Sequence, residues 1–455
     1  MEKRANFGSK LGIILASAGS AVGLGNVWRF PTEVGANGGA AFLILYIMCV
    51  LLLGAPLMVS EFVVGRHTHT NTADAYKRLC RSKRSLFGYT GYLGVFTSWF
   101  ILCYYSVVSG WTLKYLLSAV AGQVTTLSDS ARYFQDFTTS AWTPLACMVA
   151  VMLMCHWVIA RGVQAGIEKY SKLMMPLLLL IIAVLVVCSL MMPGSAQGLR
   201  FLFEPDFSKI NSRVALSAMG QAFFSLSIAM GCLCTYASYF SDDAKLVRTA
   251  GSVAVIDTMV ALMSGCIIFP AVFSVAGVET NAGPGLVFIT LPSVFQTAFG
   301  GVPLLGWLFA VMFYLLLLLA ALTSMMSIHE PTTAFLLEHF QLERRTATWV
   351  VTLSCIAVGA LCCLSFGPLS DFRVFFGMTF FDAFDYVSAK ILLPVGGIII
   401  AVFVGWKLDR NLVYNELTNR GTVPFRAFPI YRFILRWLAP IAIGLIFLNE
   451  LGIFK

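Results

Sequence analysis

The chain contains few charged residues. Asp, Glu, Lys and Arg make up 12% of its 455 residues, whereas hydrophobic residues make up 58%. Soluble proteins usually carry about 25% charged residues, so this composition excludes an ordinary soluble domain and indicates a polytopic membrane protein. The net charge of +9 does not call for a nucleic-acid partner, because the basic residues cluster in alternate loops, as the positive-inside rule expects.

Several kinds of functional site are also missing from the sequence. The 12 cysteines have neither a zinc-binding spacing nor the pattern of a disulfide framework, and those in apolar runs are interpreted as packing residues. There is no nucleotide-binding loop, no histidine pair spaced for haem, no selectivity-filter repeat and no Asn-x-Ser/Thr acceptor. The basic residues 1–10 lack a cleavable signal pattern. These absences argue against an enzyme and against a channel.

Long apolar runs are abundant instead. A helix needs about 20 apolar residues to span a bilayer, and eleven runs satisfy this length, near residues 10–32, 38–66, 88–121, 143–161, 168–192, 213–240, 246–276, 302–336, 347–366, 374–406 and 430–450. The basic loops after segments 2 and 10 place these loops and the N-terminus in the cytoplasm, and an odd number of spans places the C-terminus outside. We expect a single multi-pass domain in a cell membrane, and the lack of glycosylation acceptors is compatible with a bacterial inner membrane.

Segment 1 contains the stretch LASAGSAVGLGNVWRFP at residues 15–31. Gly19, Gly23 and Gly25 fall within seven residues, and each glycine inside a helix costs about 1 kcal/mol relative to alanine. We therefore predict a broken helix. Non-helical backbone at membrane depth survives where protein or a polar cavity satisfies it, and its free carbonyls and helix ends bind ions and charged substrates. A glycine-rich packing face between helices is the alternative.

Segment 6 repeats this pattern. The stretch GQAFFSLSIAMG, residues 220–231, places serines and glycines inside an apolar helix. Broken helices at corresponding positions in two halves point to the binding site of a transporter, so we predict an all-α fold with repeats at about residues 10–192 and 213–406 and an extra helix at about 430–450. Segment 8 adds adjacent hydroxyls at Thr323 and Ser324, although hydroxyls in membrane helices more often bond the preceding turn.

These stretches, together with NGGAAF at residues 37–42 and GLVFITLP at residues 285–292, resemble the neurotransmitter:sodium symporters. The bacterial amino-acid members with the LeuT fold are the most similar, in order over segments 1 to 10. The resemblance implies a 5+5 inverted repeat with broken helices 1 and 6. It also implies a sodium-coupled symporter that works by alternating access, in a lipid bilayer and without covalent chemistry.

The resemblance further implies two sodium sites. The first would use Ala21, Asn26, Ser225 and Asp257 with the substrate carboxylate, and the second Gly19, Val22, Ala320, Thr323 and Ser324. Oxygen ligands of this kind suit a hard cation. Many members of the family have asparagine where this chain has Asp257. Because the aspartate supplies its own negative charge, we expect transport without chloride.

The substrate pocket and the gates follow from the same resemblance. The implied substrate contacts are Ser20, Ala21, Gly23, Gly25, Ile101, Tyr105, Phe224, Ser225, Ser227, Met230, Ser324 and Ile328. Tyr105 matches the tyrosine that binds the substrate carboxylate, and Gly23 leaves room for that carboxylate where monoamine transporters have aspartate. The apolar pocket residues predict hydrophobic or aromatic L-amino acids. The outer gate would be Arg29 with Asp385, and the inner gate Arg4 with Glu338 and Tyr239 nearby.

A proton-coupled carrier of the same fold, with Asp257 or Glu61 carrying the proton, is the alternative. For Glu61 we prefer a bracing role against broken segments 1 and 6. Gly166 and Pro176 enclose nine residues of segment 5, a spacing that resembles the family motif associated with unwinding of the inner end of that segment. Residues 277–295 are expected to form a re-entrant or capping loop on the outer face. The oligomeric state does not follow from the sequence.

Overall fold

The computed structural model describes residues 6–80, 82, 84–275, 285–297 and 302–450, so the expected gate residue Arg4 lies outside the described residues. Within them the chain is helical and contains no strand. Nine helices of the described part are long and apolar enough to cross a membrane: Ala40–Thr68, Leu86–Val120, Thr143–Ala160, Val163–Leu190, Leu246–Phe273, Pro303–His339, Arg344–Leu364, Phe380–Lys407 and Phe428–Asn449. They correspond to segments 2 to 5 and 7 to 11.

Segment 1 is broken, as the glycine cluster predicts. Its half-helices Lys10–Ala21 and Gly25–Ala36 are bent by 53° to each other. The first half-helix is capped at its start by Ser9, whose side chain accepts a hydrogen bond from Gly12 N, and it is followed by Val22, whose backbone is extended. Side-chain capping of this kind satisfies one of the amide groups that a helix start leaves unpaired.

Segment 6 is broken as well, into Ser212–Ser225 and Cys232–Ala237. The intervening backbone has positive φ at Ser227 (53°), Ala229 (66°) and Gly231 (73°). A left-handed conformation is unstrained only for glycine and costs about 1–2 kcal/mol for a residue with a Cβ, so neighbouring side chains must hold this turn in place. With segments 1 and 6 included, the fold has the eleven predicted membrane segments in the described part of the chain.

Short helices connect the membrane segments. They are Thr72–Leu79, Ser130–Thr139, Ser195–Phe203, Leu286–Phe295 and Arg410–Leu417. The helix Leu286–Phe295 caps the bundle, because the Phe288 ring meets the edges of Trp28 and Trp111 at centroid distances of 6.2 and 5.8 Å, and Tyr115 Oη donates a hydrogen bond to Phe288 O (2.8 Å). The first part of the expected capping loop, residues 277–284, lies outside the described residues.

Close backbone contacts hold the broken helices against their neighbours. A Cβ at Gly65 in segment 2 would overlap the carbonyl oxygen of Cys234 in segment 6, and only glycine permits this approach. Segment 5 is helical throughout Val163–Leu190 even though it contains Pro176, so its inner end is wound in this conformation. The division of the chain into two repeats remains a prediction.

Candidate substrate and ion site

The two helix breaks face each other across a small cavity. Ser227 Oγ donates a hydrogen bond to Ser20 O (2.8 Å), and this bond joins the broken region of segment 6 to segment 1. The cavity has a volume of about 30 Å³ and is lined by residues of segments 1, 3, 6 and 8. Its lining consists of the twelve residues named above as substrate contacts: Ser20, Ala21, Gly23, Gly25, Ile101, Tyr105, Phe224, Ser225, Ser227, Met230, Ser324 and Ile328.

One end of this cavity is polar and narrow. The Tyr105 hydroxyl accepts a hydrogen bond from Leu24 N (3.2 Å). A Cβ at Gly23 would collide with Ser324 Oγ and would lie 3.2 Å from Tyr105 Oη. Even alanine would therefore fill the space in front of the tyrosine. The lack of a side chain at position 23 therefore keeps the space in front of the Tyr105 hydroxyl free.

The other end of the cavity is apolar. The buried side chains of Ile101, Met230 and Ile328 form its wall, and none of the lining residues carries a charge. Ser20 Oγ is buried and has no hydrogen-bond partner among the described residues. A charged side chain buried here without a partner would cost several kcal/mol, so this wall favours apolar groups.

Beside the cavity lies a buried carboxylate, Asp257 of segment 7. Asn26 Nδ2 donates to its Oδ1 (2.7 Å), Ser225 Oγ donates to its Oδ2 (2.9 Å), and Tyr46 Oη lies 3.3 Å from Oδ2. All four residues are buried, and no basic side chain lies within 4 Å of the carboxylate in the described part of the chain. Because a buried charge is costly unless it is compensated, this site favours a cation.

The oxygen of the Asn26 side chain points toward the helix break, where it accepts a hydrogen bond from Gly23 N (3.0 Å). Ala21 lines the cavity next to it. The residues assigned to the first ion site are thus brought together by segments 1, 6 and 7. Tyr46 of segment 2 was missed by the sequence analysis, because nothing in its local sequence indicates that it reaches Asp257.

The residues assigned to the second ion site also meet, between segments 1 and 8. Ser324 Oγ donates to Val22 O (3.3 Å), and a Cβ at Gly19 would lie 3.4 Å from Thr323 Cβ. Thr323 Oγ1 lies 3.0 Å from Leu319 O and 3.1 Å from Ala320 O, so its hydroxyl bonds the preceding turn. A hydroxyl that donates its hydrogen keeps two lone pairs for a cation, and the two roles are compatible.

A second, larger cavity of about 400 Å³ lies next to the first, and Gly25, Tyr105 and Phe224 line both. The expected outer gate residues Arg29 and Asp385 line this cavity, but no ion pair joins them in the described part of the chain. The Arg29 guanidinium instead lies over the Phe224 ring, 4.3 Å from its centroid. The two expected gate residues thus both face this cavity and are not paired across it.

The opposite face of the bundle is closed. Glu338 accepts hydrogen bonds from Asn71 N (2.7 Å) and Asn71 Nδ2 (3.1 Å). Tyr239, which was expected near Glu338, donates its hydroxyl hydrogen to Glu330 Oε1 (2.8 Å), and Glu330 pairs with Arg344 (2.6 Å). The Tyr239 hydroxyl thus bonds a carboxylate oxygen of the Glu330–Arg344 pair, and its place beside the inner gate stays a prediction.

Further contacts keep the same face closed. Glu168 of segment 5 accepts hydrogen bonds from Gly8 N (2.6 Å) and Ser9 Oγ (2.9 Å), which ties the start of segment 1 to the wound end of segment 5. Glu61 of segment 2 accepts a hydrogen bond from Ala229 N (2.7 Å) in the break of segment 6. This contact agrees with the bracing interpretation of Glu61 as far as segment 6 is concerned.

Residues 4–136 and 121–455 match the model of the sodium:neurotransmitter symporter family. The chain belongs to this family. It is similar to a Bacillus subtilis protein described as an uncharacterized sodium-dependent transporter (YhdH), with 38% identity over 100% of this chain and 99% of the relative. It is also similar to the sodium- and chloride-dependent GABA transporter 2 of Mus musculus, with 25% identity over 96% of this chain and 78% of the relative.

Among solved structures, the crystal structure of MhsT in complex with L-phenylalanine is similar to this chain. The identity is 37%, the TM-score is 0.88, and the match covers 98% of this chain and 100% of that chain. This symporter is accordingly a sodium-dependent, multi-pass membrane transporter with the LeuT fold, and it is not an enzyme.

Proposed function

We propose that this symporter imports hydrophobic or aromatic L-amino acids with sodium, by alternating access and without chloride. One observation carries the proposal: the twelve expected substrate contacts line a single cavity that contains no charged side chain and lies beside the buried Asp257. The complex of MhsT with L-phenylalanine supports an amino acid of this class.

Substrate binding must enlarge the cavity. About 30 Å³ has room for one or two water molecules, which is far less than an aromatic side chain occupies. Met230 can swing aside, because its unbranched side chain adapts to different shapes. Phe224 lies between this cavity and the larger one and is half-buried, so a substrate that arrives from the larger cavity has to displace it.

Sodium is cargo in this proposal, and two sites are proposed for it. At the first, Asp257 and the substrate carboxylate face one cation with the oxygens of Ala21, Asn26 and Ser225. At the second, the ligands are neutral oxygens of Gly19, Val22, Ala320, Thr323 and Ser324. Because Asp257 contributes a negative charge at the first site, the charge of sodium is balanced there without chloride.

The open outer cavity and the closed opposite face support alternating access. The proposed outer gate, Arg29 and Asp385, closes over bound substrate when the two side chains pair. The proposed inner gate opens when Glu338 and Arg4 separate and the end of segment 5 unwinds at Gly166. We propose a cytoplasmic N-terminus and an outside C-terminus, in a bacterial inner membrane.

The substrate class is tested by thermal-shift measurements on the purified protein with each of the twenty amino acids, in sodium and in choline at one pH. We expect leucine, phenylalanine, tyrosine and tryptophan to stabilise the protein in sodium but not in choline. The variant Met230→Phe should shift the preference toward the smaller of these, because it fills the apolar end. Stronger stabilisation by glutamate, lysine or glycine would contradict the pocket assignment, and equal stabilisation in choline would favour the proton-coupled alternative.

The ion sites are tested separately. The double variant Thr323→Val/Ser324→Ala removes two hydroxyl ligands, and we expect it to lose sodium-dependent binding while it stays folded; an unchanged sodium affinity would contradict the second site. Uptake into vesicles should be the same in chloride and in gluconate for the unmodified protein. The variant Asp257→Asn should weaken uptake or make it respond to chloride, and a strong chloride requirement before mutation would contradict the charge argument.

A further inference from the structure

At the end of the bundle opposite the open cavity, segments 10 and 11 carry a cluster of arginines. Arg432 and Arg436 lie one turn apart on segment 11, and Arg410 begins the short helix that follows segment 10. The Arg410 guanidinium lies 5.9 Å from the ring centroid of Phe428, which precedes Arg432 by one turn of segment 11, so the three side chains lie on neighbouring turns. We refer to these three residues as the arginine cluster.

Among the described residues, the arginine cluster has no negative partner. In the described part of the chain, no carboxylate lies within 4 Å of any of the three guanidinium groups. Arg432 makes no hydrogen bond there, and Arg436 uses only Nε, which donates to Gly405 O (2.8 Å). A guanidinium group has five N–H donors, so most of the donors of this cluster are available to a ligand.

Two tryptophans fix the position of the cluster. Trp406 and Trp437 meet edge to face with ring centroids 5.0 Å apart, and Trp406 Nε1 donates to Arg436 O (3.1 Å). The Arg436 guanidinium lies 4.9 Å from the Trp406 ring centroid. Both indole rings are about half exposed, at 44% and 51%. Exposed tryptophans at the ends of membrane helices are typical of the headgroup level of the bilayer.

Exposed apolar side chains adjoin the cluster on the same helix. Ile430, Phe433 and Ile441 of segment 11 are each about 60% exposed, as expected for side chains that contact acyl chains. The surface therefore combines three cations with free donors, an aromatic pair and an apolar face. A soluble anion would use only the first of these features, whereas a phospholipid would use all three.

We infer that the arginine cluster binds the phosphodiester headgroup of an anionic phospholipid, with the acyl chains lying along segment 11. A guanidinium group binds phosphate oxygens in a bidentate manner, and basic pockets between the ends of membrane helices are known to hold anionic headgroups. The positive-inside rule by itself explains the presence of basic residues at this end. It does not explain why three of them converge with most of their donors unused among the described residues.

The tryptophans provide the measurement. The full-length protein is reconstituted in phosphatidylcholine vesicles that contain a rising fraction of brominated phosphatidylglycerol, which quenches nearby indole rings. Quenching at the site is measured as the difference in fluorescence quenching between the unmodified protein and its Trp406→Phe/Trp437→Phe variant. We expect half-maximal quenching at a much lower fraction of brominated phosphatidylglycerol than of brominated phosphatidylcholine.

The variant Arg432→Gln breaks no hydrogen bond or ion pair among the described residues, and it should raise the half-maximal fraction about fivefold, the effect expected for one charge near a membrane surface. The double variant Arg410→Gln/Arg432→Gln should raise it about 25-fold. The exposed Arg426 lies in the same connection but outside the cluster, and Arg426→Gln should leave the fraction unchanged.

Three results would overturn the inference. The first is equal quenching by the two brominated lipids, since the headgroup charge would then play no part. The second is that Arg432→Gln leaves the half-maximal fraction unchanged, or that Arg426→Gln raises this fraction as much as Arg432→Gln does. The third is relief of quenching by inorganic phosphate but not by sodium chloride of equal ionic strength, since the cluster would then be a site for a free anion.

Discussion

Removal of the Glu61 side chain should disturb the helix break in segment 6 more than it disturbs the fold as a whole. Glu61 is 1% exposed and accepts a hydrogen bond from Ala229 N at 2.7 Å. Ala229 has a φ of 66°, which costs about 1–2 kcal/mol for a residue with a Cβ. In Glu61→Ala the acceptor is lost, which costs about 1–3 kcal/mol for a buried N–H, and nothing opposes relaxation of the strained turn.

Relaxation of this turn moves its neighbours Ser227 and Met230, which line the small cavity. A strain of about 1–2 kcal/mol corresponds to a change of about 5- to 30-fold in the population of the binding-competent backbone. We therefore expect Glu61→Ala to weaken amino-acid binding by at least this factor. Glycine has no such strain at positive φ, so adding Ala229→Gly should restore about the same factor.

The assay is equilibrium binding of radiolabelled L-phenylalanine in sodium, accompanied by the thermal midpoint of each purified variant. Glu61→Gln keeps a carbonyl acceptor for Ala229 N and should bind like the unmodified protein. Ala222→Gly, in the helical part of segment 6, is the control, and adding it to Glu61→Ala should not restore binding. The reasoning is refuted if Glu61→Ala binds the amino acid normally. It is also refuted if adding Ala229→Gly to Glu61→Ala restores the affinity no better than adding the control substitution does.

Three further outcomes are expected. Overpacking of a protein interior costs about 1–3 kcal/mol, and Gly65→Ala should lower the thermal midpoint by more than this cost implies, because its Cβ would overlap a carbonyl of segment 6. Gly251 has open space around it, so Gly251→Ala should not lower the midpoint. Equal effects of the two variants would contradict the close approach at Gly65. Pro176→Ala should slow transport and spare binding, as vesicle uptake and equilibrium binding would reveal, while equal losses would indicate misfolding. Burial opposes the shift, but the hydrogen bond from His67 and the nearby positive charge of Arg66 lower the pKa of Glu416 below its ordinary value of 4.5. The stability that this carboxylate contributes should be present above its unfolded pKa and lost as the pH falls through the lower, folded pKa. The thermal midpoints of the unmodified protein and Glu416→Gln should therefore converge as the pH falls below 4.5, and a constant difference would contradict this.

Several details of the site depend on contacts between distant segments. Tyr46 reaches Asp257 across 211 positions of the chain, and Tyr239 reaches Glu330 across 91. No local pattern distinguishes these tyrosines from others in apolar helices. Thr323 illustrates the same limit, since the sequence allows its hydroxyl to bond the preceding turn or an ion, and the fold leaves it able to do both.

The sequence by itself determined the membrane segments and the two helix breaks, because apolar length and a cluster of glycines are local properties of the chain. The family motifs also lie in continuous stretches and were readable without coordinates. Only the tertiary structure decided that Arg29 lies over the ring of Phe224, that the wound end of segment 5 is tied to Gly8 and Ser9, and that three arginines converge beside two tryptophans. Each of these depends on which segments approach one another in one conformation, and the free energy of such contacts is set by their three-dimensional neighbours and not by their order along the chain.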